Sequence, residues 1–263
     1  MIQLLSVSKR FLDNVVLDGV SLDVREGETV ALLGPSGVGK SVTLKMINGL
    51  LRPDSGDVIV DGLHVQQLKR KELAELRARV GYVFQYGALF DSMNVHENIR
   101  LGITDEQCYN DEQYCSNRVL ECLRLVNLAP DVAAKYPAEL SGGMKKRVGI
   151  ARAIAGKPKY LLYDEPTSGL DPVNADVIDG LVERLQEELG VTSVVVSHDV
   201  RGSFRVADRV ALLWQSKIRA VGTPEEILAS RDPAVQQFME RDLEMALIQS
   251  EAEEPREPRG PHV

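Results

Sequence analysis

Gly34, Pro35, Ser36, Gly37, Val38, Gly39, Lys40 and Ser41 fill every position of a G-x-x-x-x-G-K-[ST] pattern. The chemistry of that pattern is phosphate binding. Glycines let successive backbone N–H groups turn inward onto phosphate oxygens, and the N-terminus of a following helix adds positive potential. Lys40 would reach the β- and γ-phosphates and assist phosphoryl transfer, and the Ser41 hydroxyl would ligate Mg²⁺. The bland alternative is a glycine-rich turn between strand and helix. The surroundings argue against it, because an aliphatic run at Thr29–Leu33 precedes the loop and Lys40–Leu50 carries the apolar pattern of a buried helix.

A phosphate site of this kind needs carboxylates nearby. Tyr160–Tyr163 is an apolar strand pattern that ends in Asp164 and Glu165. Removing a carboxylate from water is costly unless it is paired or metal-bound, so two acids at the end of a buried strand point to a task. Asp164 would help hold Mg²⁺, and Glu165 would polarise or orient the attacking water. Taken alone, the pair could equally be a solvated strand end.

A second anion-binding surface follows from Leu140, Ser141, Gly142, Gly143 and Met144. Ser141 is a good N-cap, and Met144, Val148, Ala151 and Ala155 share one face of the predicted helix. Serine and two glycines at a helix N-terminus can again receive phosphate oxygens. The chain thus carries two such surfaces, about a hundred residues apart, for one nucleotide.

The elements that must position these residues alternate. Strand patterns cover Ile2–Val7, Val20–Val24, Thr29–Leu33, Val58–Val60 and Arg79–Phe84, with one helix, Lys40–Leu50, among them. From about residue 95 to 156 the spacing turns helical. Strands return at Tyr160–Tyr163, Thr192–Val196 and Arg209–Trp214, with a helix at about Asn174–Leu189. This alternation predicts a largely parallel α/β sheet. Asp232 and Pro233 then open an amphipathic helix with Val235, Phe238, Met239, Leu243, Ala246 and Leu247 on its apolar stripe. Beyond it, residues 250–263 are too acidic and proline-rich to bury a core, and disorder is expected.

Composition narrows the classes. A formal net charge of −8 over 263 residues argues against nucleic acid as a partner. Three cysteines make no disulfide framework and fit a reducing cytosol. Cys108, Cys115 and Cys122 recur every seven residues, about 10 Å apart along a helix, too far to share one zinc ion. They read as buried or incidental thiols. No stretch reaches the roughly 20 apolar residues of a membrane helix, so work at a membrane would go through partners.

The phosphate loop, the Asp164–Glu165 pair and the Ser141 signature together resemble the nucleotide-binding subunits of ABC transporters, over roughly residues 1–230. The resemblance implies a P-loop NTPase fold of the ABC type, with a mixed sheet core and an inserted helical subdomain at about 90–157. The ATPase domain then spans 1–231, the amphipathic helix 232–249 and the tail 250–263. It also implies ATP with Mg²⁺, and a head-to-tail homodimer in which the loop of one subunit faces the signature of the other. Further residues take roles from the resemblance. Phe11 would stack on adenine, and Gln85 would sense Mg²⁺ and the γ-phosphate. The loop from Ser168 to Asp171 would cross the dimer interface, and His198 would contact the γ-phosphate. Alone, Phe11 would read as a core ring, His198 as a capping or surface histidine, and Gln85 as nothing; their joint order and spacing favour the functional reading.

Two stretches narrow the branch. Phe84–Asn98 and the signature with Met144 in the position commonly held by glutamine resemble the ATPases of Mla-type lipid transporters, whose relatives serve Mce-protein systems. That implies integral-membrane permease subunits, an Mce-domain lipid-binding protein, and a cytoplasmic location, peripheral on the inner face of the membrane. The resemblance departs after Asn98. The principal rival is a soluble ABC ATPase of the assembly or cell-division type. A DNA-repair ATPase is disfavoured, because no long heptads separate its halves, and a non-enzymatic lipid-binding module lacks an apolar pocket pattern.

Overall fold

A computed structural model describes residues 1–104 and 111–240. The central sheet has six strands in the order β10-β9-β3-β8-β7-β6. These are β3 (Thr29–Leu33), β6 (Val80–Val83), β7 (Tyr160–Asp164), β8 (Thr192–Ser197), β9 (Arg209–Trp214) and β10 (Lys217–Gly222). All neighbours pair in parallel except β9 and β10. Every residue of β3, β6, β7 and β8 is buried. Continuous β-branched and aliphatic runs are what a parallel sheet covered on both faces requires.

A second, antiparallel sheet has the order β2-β1-β4-β5, from β1 (Ile2–Phe11), β2 (Asn14–Val24), β4 (Ser55–Val60) and β5 (Leu63–His64). Helix α1 (Lys40–Ile47) lies in the apolar core between the sheets, with Leu44, Met46 and Ile47 against Ile2, Leu4, Val58, Leu162 and Val194.

Between β6 and β7 the described chain is helical: α3 (Val95–Arg100), α4 (Glu112–Leu125) and α5 (Gly142–Ala155), preceded by α2 (Arg70–Ala78) before β6. Cys115, Val119, Cys122 and Leu123 of α4 pack with Val148, Ala151 and Ile154 of α5. Arg118, itself buried, donates to the carbonyls of Ile154 (2.7 Å) and Ala155 (3.0 Å), closing the C-terminal end of α5. Helices α6 (Pro172–Leu189), α7 (Val200–Val206) and α8 (Pro224–Leu228) follow β7, β8 and β10.

The expected elements need several corrections. The first third holds a second helix, α2, whose mostly exposed residues give no strong apolar stripe. β1 and β2 are longer than their apolar cores, because they form one hairpin whose outer half is exposed. The first helix stops at Ile47, where Gly49 takes a left-handed turn (φ 64°). β10 alternates exposed and half-buried residues on the edge of the sheet, with only Gly222 buried, and offered too weak a pattern to expect. Cys115 is disulfide-bonded rather than an incidental thiol, whereas Cys122 is a free, buried one.

Asp232 caps the final helix, accepting from the backbone N–H of Ala234 at 2.7 Å. Residues 233–240 are helical, and Val235 and Phe238 pack on Leu33, Val200, Leu212 and Ile227. The Phe238 ring meets Trp214 edge-on at 6.5 Å. The apolar stripe is therefore covered by the chain's own core as far as it is described. The rest of that helix, the tail 250–263 and Cys108 lie outside the described residues.

Candidate functional site

Four parallel strands end at one edge of the central sheet, and each end leads into a singled-out residue. Leu33 leads into Gly34, Asp164 into Glu165, Ser197 into His198, and Val83 is followed two residues later by Gln85. The crevice beyond the carboxyl ends of parallel strands is where open α/β sheets bind ligands.

The loop from Gly34 to Gly39 has the backbone its sequence demands. A Cβ at Gly34 (φ 153°) would collide with the carbonyl oxygen of Leu213. One at Gly39 (φ 115°) would lie 2.8 Å from Val16 and 2.9 Å from Leu17. Both positions therefore exclude side chains, and the loop rests against β2 and β9. The Lys40 ammonium is buried and donates to the carbonyls of Gly34 (2.6 Å) and Pro35 (3.1 Å), with Glu165 Oε1 at 3.4 Å. Burial pulls the pKa of Lys40 down, against the opposing pull of Glu165 and Asp164.

Asp164 is buried with both carboxylate oxygens engaged. Ser41 Oγ donates to Oδ1 at 2.6 Å and the Tyr82 hydroxyl to Oδ2 at 2.9 Å. Glu165 sits one residue beyond the strand in a left-handed conformation (φ 50°), strained for a residue with a side chain. Its N–H donates to the Val196 carbonyl (2.9 Å), and Lys146 donates to its carbonyl (3.3 Å), so the turn is held from two sides. His198 Nδ1 lies 2.7 Å from Glu165 Oε2. Burial would raise the carboxyl's pKa, but the His198 and Lys40 partners outweigh it and hold Glu165 below the usual range. The same contact raises the imidazole of His198 against its desolvation. Lys40, Glu165 and His198 thus form one linked chain, beside the Ser41–Asp164 pair.

The remaining candidates surround this centre. Gln85 donates from its carboxamide to Ser168 Oγ at 3.2 Å. Asp171 caps α6, accepting from the backbone N–H of Asn174 (3.0 Å) and from its side-chain amide (2.6 Å). Ser141 caps α5 through the N–H of Met144 (3.3 Å), and both Ser141 and Gly142 are exposed. Gly143 is buried because the Asn174 side chain approaches it too closely for a Cβ. Helix α5 packs on α3, α4, α6 and β6, so the signature is presented outward on the helical segment. Phe11 ends β1, 43% exposed, with the Lys9 ammonium 5.5 Å from its ring centre. An exposed ring at a strand tip suits stacking on a base.

The donor set fits a nucleotide with a divalent cation. No cluster of three His, Cys, Asp or Glu side chains among the described residues could hold a metal alone. One buried carboxylate beside a hydroxyl suits Mg²⁺, which takes the rest of its oxygen ligands from phosphates and water.

Sequence reading missed four residues that organise the site. Tyr82 and Lys146 hold Asp164 and Glu165, as described above. Asn98, fully buried, accepts from the N–H of Phe90 (2.8 Å) and donates to the carbonyls of Phe90, Met93 and Asn94. Arg152 donates to the carbonyls of Gly87 (2.8 Å) and Ala88 (2.7 Å). A tyrosine inside a buried strand, or an asparagine on a helix's apolar face, signals a required hydrogen-bond partner. These fix the loop after Gln85, in which Leu89 packs inward while Tyr86 and Phe90 stand 80% and 54% exposed.

A family profile described as "ABC transporter" matches residues 17–168. The intermembrane phospholipid transport system ATP-binding protein MlaF of Haemophilus influenzae is 41% identical over 227 residues, covering 86% of this chain and 85% of that protein. The methionine import ATP-binding protein MetN of Carboxydothermus hydrogenoformans is 44% identical over 211 residues, 80% of this chain and 62% of that one. Among solved structures, the dimeric post-hydrolysis state of the ATP-binding cassette MJ0796 bound to ADP and Pi superimposes with a TM-score of 0.75. It is 33% identical and covers 85% of this chain and 99% of its own.

Proposed function

Because this chain belongs to the ABC transporter family as an ATP-binding, ATP-hydrolysing subunit, we propose that it works as a homodimer driving a lipid-moving permease. The observation that carries the catalytic reading is the contiguous set Ser41–Asp164 and Lys40–Glu165–His198 at the strand ends.

In the reaction a water oxygen attacks the γ-phosphorus, the β–γ bridging bond breaks, and ADP and phosphate leave. Lys40 is poised for this chemistry. Its ammonium now rests on loop carbonyls and Glu165, and phosphate oxygens offer a stronger partner than either carbonyl. Drawing Lys40 to the phosphates leaves Glu165 Oε1 free to orient the water and receive its proton, while His198 steadies Oε2. Ser41, Asp164 and Gln85 would hold Mg²⁺, which neutralises developing charge on the phosphate oxygens. The exposed Ser141 and Gly142 would complete the site of the opposite subunit, as would Asp171 at the head of α6. Phe11 would stack on adenine.

The lipid assignment rests on the likeness to MlaF over most of both chains, and on the Phe84–Asn98 stretch and the Met144 signature. On that reading the permease docks on the loop bearing Tyr86 and Phe90, and an Mce-domain protein completes the assembly. No helix among the described residues is long and apolar enough to cross a membrane; on the same reading, attachment to the inner face goes through the permease. Affinity purification of the tagged full chain from its own cells tests the assembly. A polytopic membrane protein should come down with it, and the recovered complex should move fluorescent phospholipid between vesicles only with ATP. Recovery with a permease that moves a polar solute instead overturns the lipid reading.

A further inference from the structure

Tyr82 is the one polar side chain in β6, a strand whose four residues are all buried. It lies opposite Leu162 in the parallel β6–β7 pairing, and its hydroxyl reaches along the sheet to Asp164 Oδ2 at 2.9 Å. The ring is fixed by Phe84, centroid to centroid 4.5 Å. Asp164 Oδ1 meanwhile accepts from Ser41 Oγ at 2.6 Å. One buried carboxylate is therefore held between two hydroxyls from two different elements, the end of the phosphate loop and the middle of the neighbouring strand.

We infer that Tyr82 is a positioning residue for the cation-binding carboxylate, fixing the rotation of Asp164 so that Oδ1 stays on Ser41. That geometry matters because a serine hydroxyl can give its proton to Asp164 and keep its lone pairs for a cation. A carboxylate free to rotate would release the hydroxyl, and Ser41 would lose its orientation. A phenol suits the position because it donates its one proton to Oδ2 and leaves Oδ1 to Ser41. Outer groups that orient ligands in this way commonly set metal affinity as strongly as the ligands do. The inference rests on the reading of Ser41 and Asp164 as the Mg²⁺ residues.

The test is binding of a fluorescent ATP analogue to the isolated full chain, with Mg²⁺ and with EDTA, in wild type, Tyr82→Phe and Asp164→Asn. Tyr82→Phe keeps the ring and its packing on Phe84 and removes only the hydroxyl. It should weaken Mg²⁺-dependent binding about tenfold and leave binding in EDTA unchanged. A matching tenfold rise in the Mg²⁺ concentration for half-maximal hydrolysis is expected. Equal loss with and without Mg²⁺ would make Tyr82 a packing residue only and overturn the inference. No loss in either condition would do the same, whatever the melting temperature does. The Asp164→Asn arm separates the two levels. If it erases the Mg²⁺ effect while Tyr82→Phe does not, the inference about Tyr82 alone fails; if it leaves the Mg²⁺ effect intact, the cation assignment itself falls.

Discussion

Asp179 should make this protein less stable as pH rises from about 4 to about 7, and Asp179→Asn should remove that loss. The residue lies on α6 and is 6% exposed. Its carboxylate and that of Asp199, the N-cap of α7, both lean over Gly202, where a Cβ would meet them at 2.5 and 2.8 Å. Arg205 is the nearby cation, but its guanidinium is engaged by Glu183 (3.1 Å) and Asp176 (3.7 Å). Burial first, and then the charge of Asp199, push the Asp179 carboxyl from 3.8 up to about 7. An acid whose folded pKa lies above its unfolded one holds its proton longer in the native state. Stability therefore falls as pH rises between 3.8 and about 7, and the full cost is present above that window. At ~1.4 kcal/mol per pH unit the ceiling is about 4 kcal/mol, and relaxation around a surface-proximal helix pair reduces it to about 2 kcal/mol. Asparagine keeps the shape and cannot ionise. For a domain of this size the variant should melt roughly 4–8 °C above wild type at pH 8 and close to it at pH 4. Calorimetry or circular dichroism across that range decides the matter. Parallel profiles for the two proteins, or a variant less stable at pH 8, would refute the account of a carboxyl forced to ionise in a poor environment.

The other expectations concern the site. Glu165→Gln should bind ATP with Mg²⁺ yet hydrolyse it about 10²–10⁴-fold more slowly, with the trapped nucleotide holding two subunits together on size-exclusion chromatography; a monomer with normal turnover would reject the assignment. Ser141→Arg should abolish hydrolysis and spare ATP binding to the isolated subunit, because Ser141 would serve the partner's nucleotide; equal loss of binding would place it in the same-chain pocket. Phe90→Asp should leave the free subunit's melting unchanged, since the ring is half exposed, and release the permease in a pull-down or uncouple turnover from transport. A variant that keeps its permease and transports normally would put the contact elsewhere.

Legibility in the sequence followed how local each cause was. The Gly34–Ser41 loop was readable because its glycines answer to backbone geometry, and Ser141 and Asp232 because a cap is satisfied within three residues. The buried parallel strands were readable as unbroken aliphatic runs. Where the partner is distant, nothing near the residue announces it. Tyr82 finds Asp164 across 82 positions and Arg152 finds Ala88 across 64. The extent of β1 and β2 likewise depends on their pairing with each other rather than on their own composition. Gln85 and His198 were placed by order within a family pattern, and no physical signal in their neighbourhoods would have singled them out.

The distant contacts have a consequence the motifs alone do not carry. Arg152 of α5 bonds two carbonyls of the loop after Gln85, and Gly149 of the same helix lets the Gly87 backbone approach so closely that a Cβ there would sit 3.1 Å away. Three residues earlier on that helix, Lys146 bonds the Glu165 carbonyl. At its N-terminus, Gly143 lies against Asn174, which holds Asp171. Helix α5 therefore touches the loop that bears Phe90, the turn that bears Glu165 and the cap that bears Asp171. Close-packed contacts of this kind transmit strain. A partner pressing on Phe90 would push on α5 through these bonds, and α5 would pass the strain to the turn at Glu165, already held at φ 50°. Coupling between a docked permease and ATP chemistry then needs no long chain of relays: the helix headed by Ser141 is in direct contact with both ends.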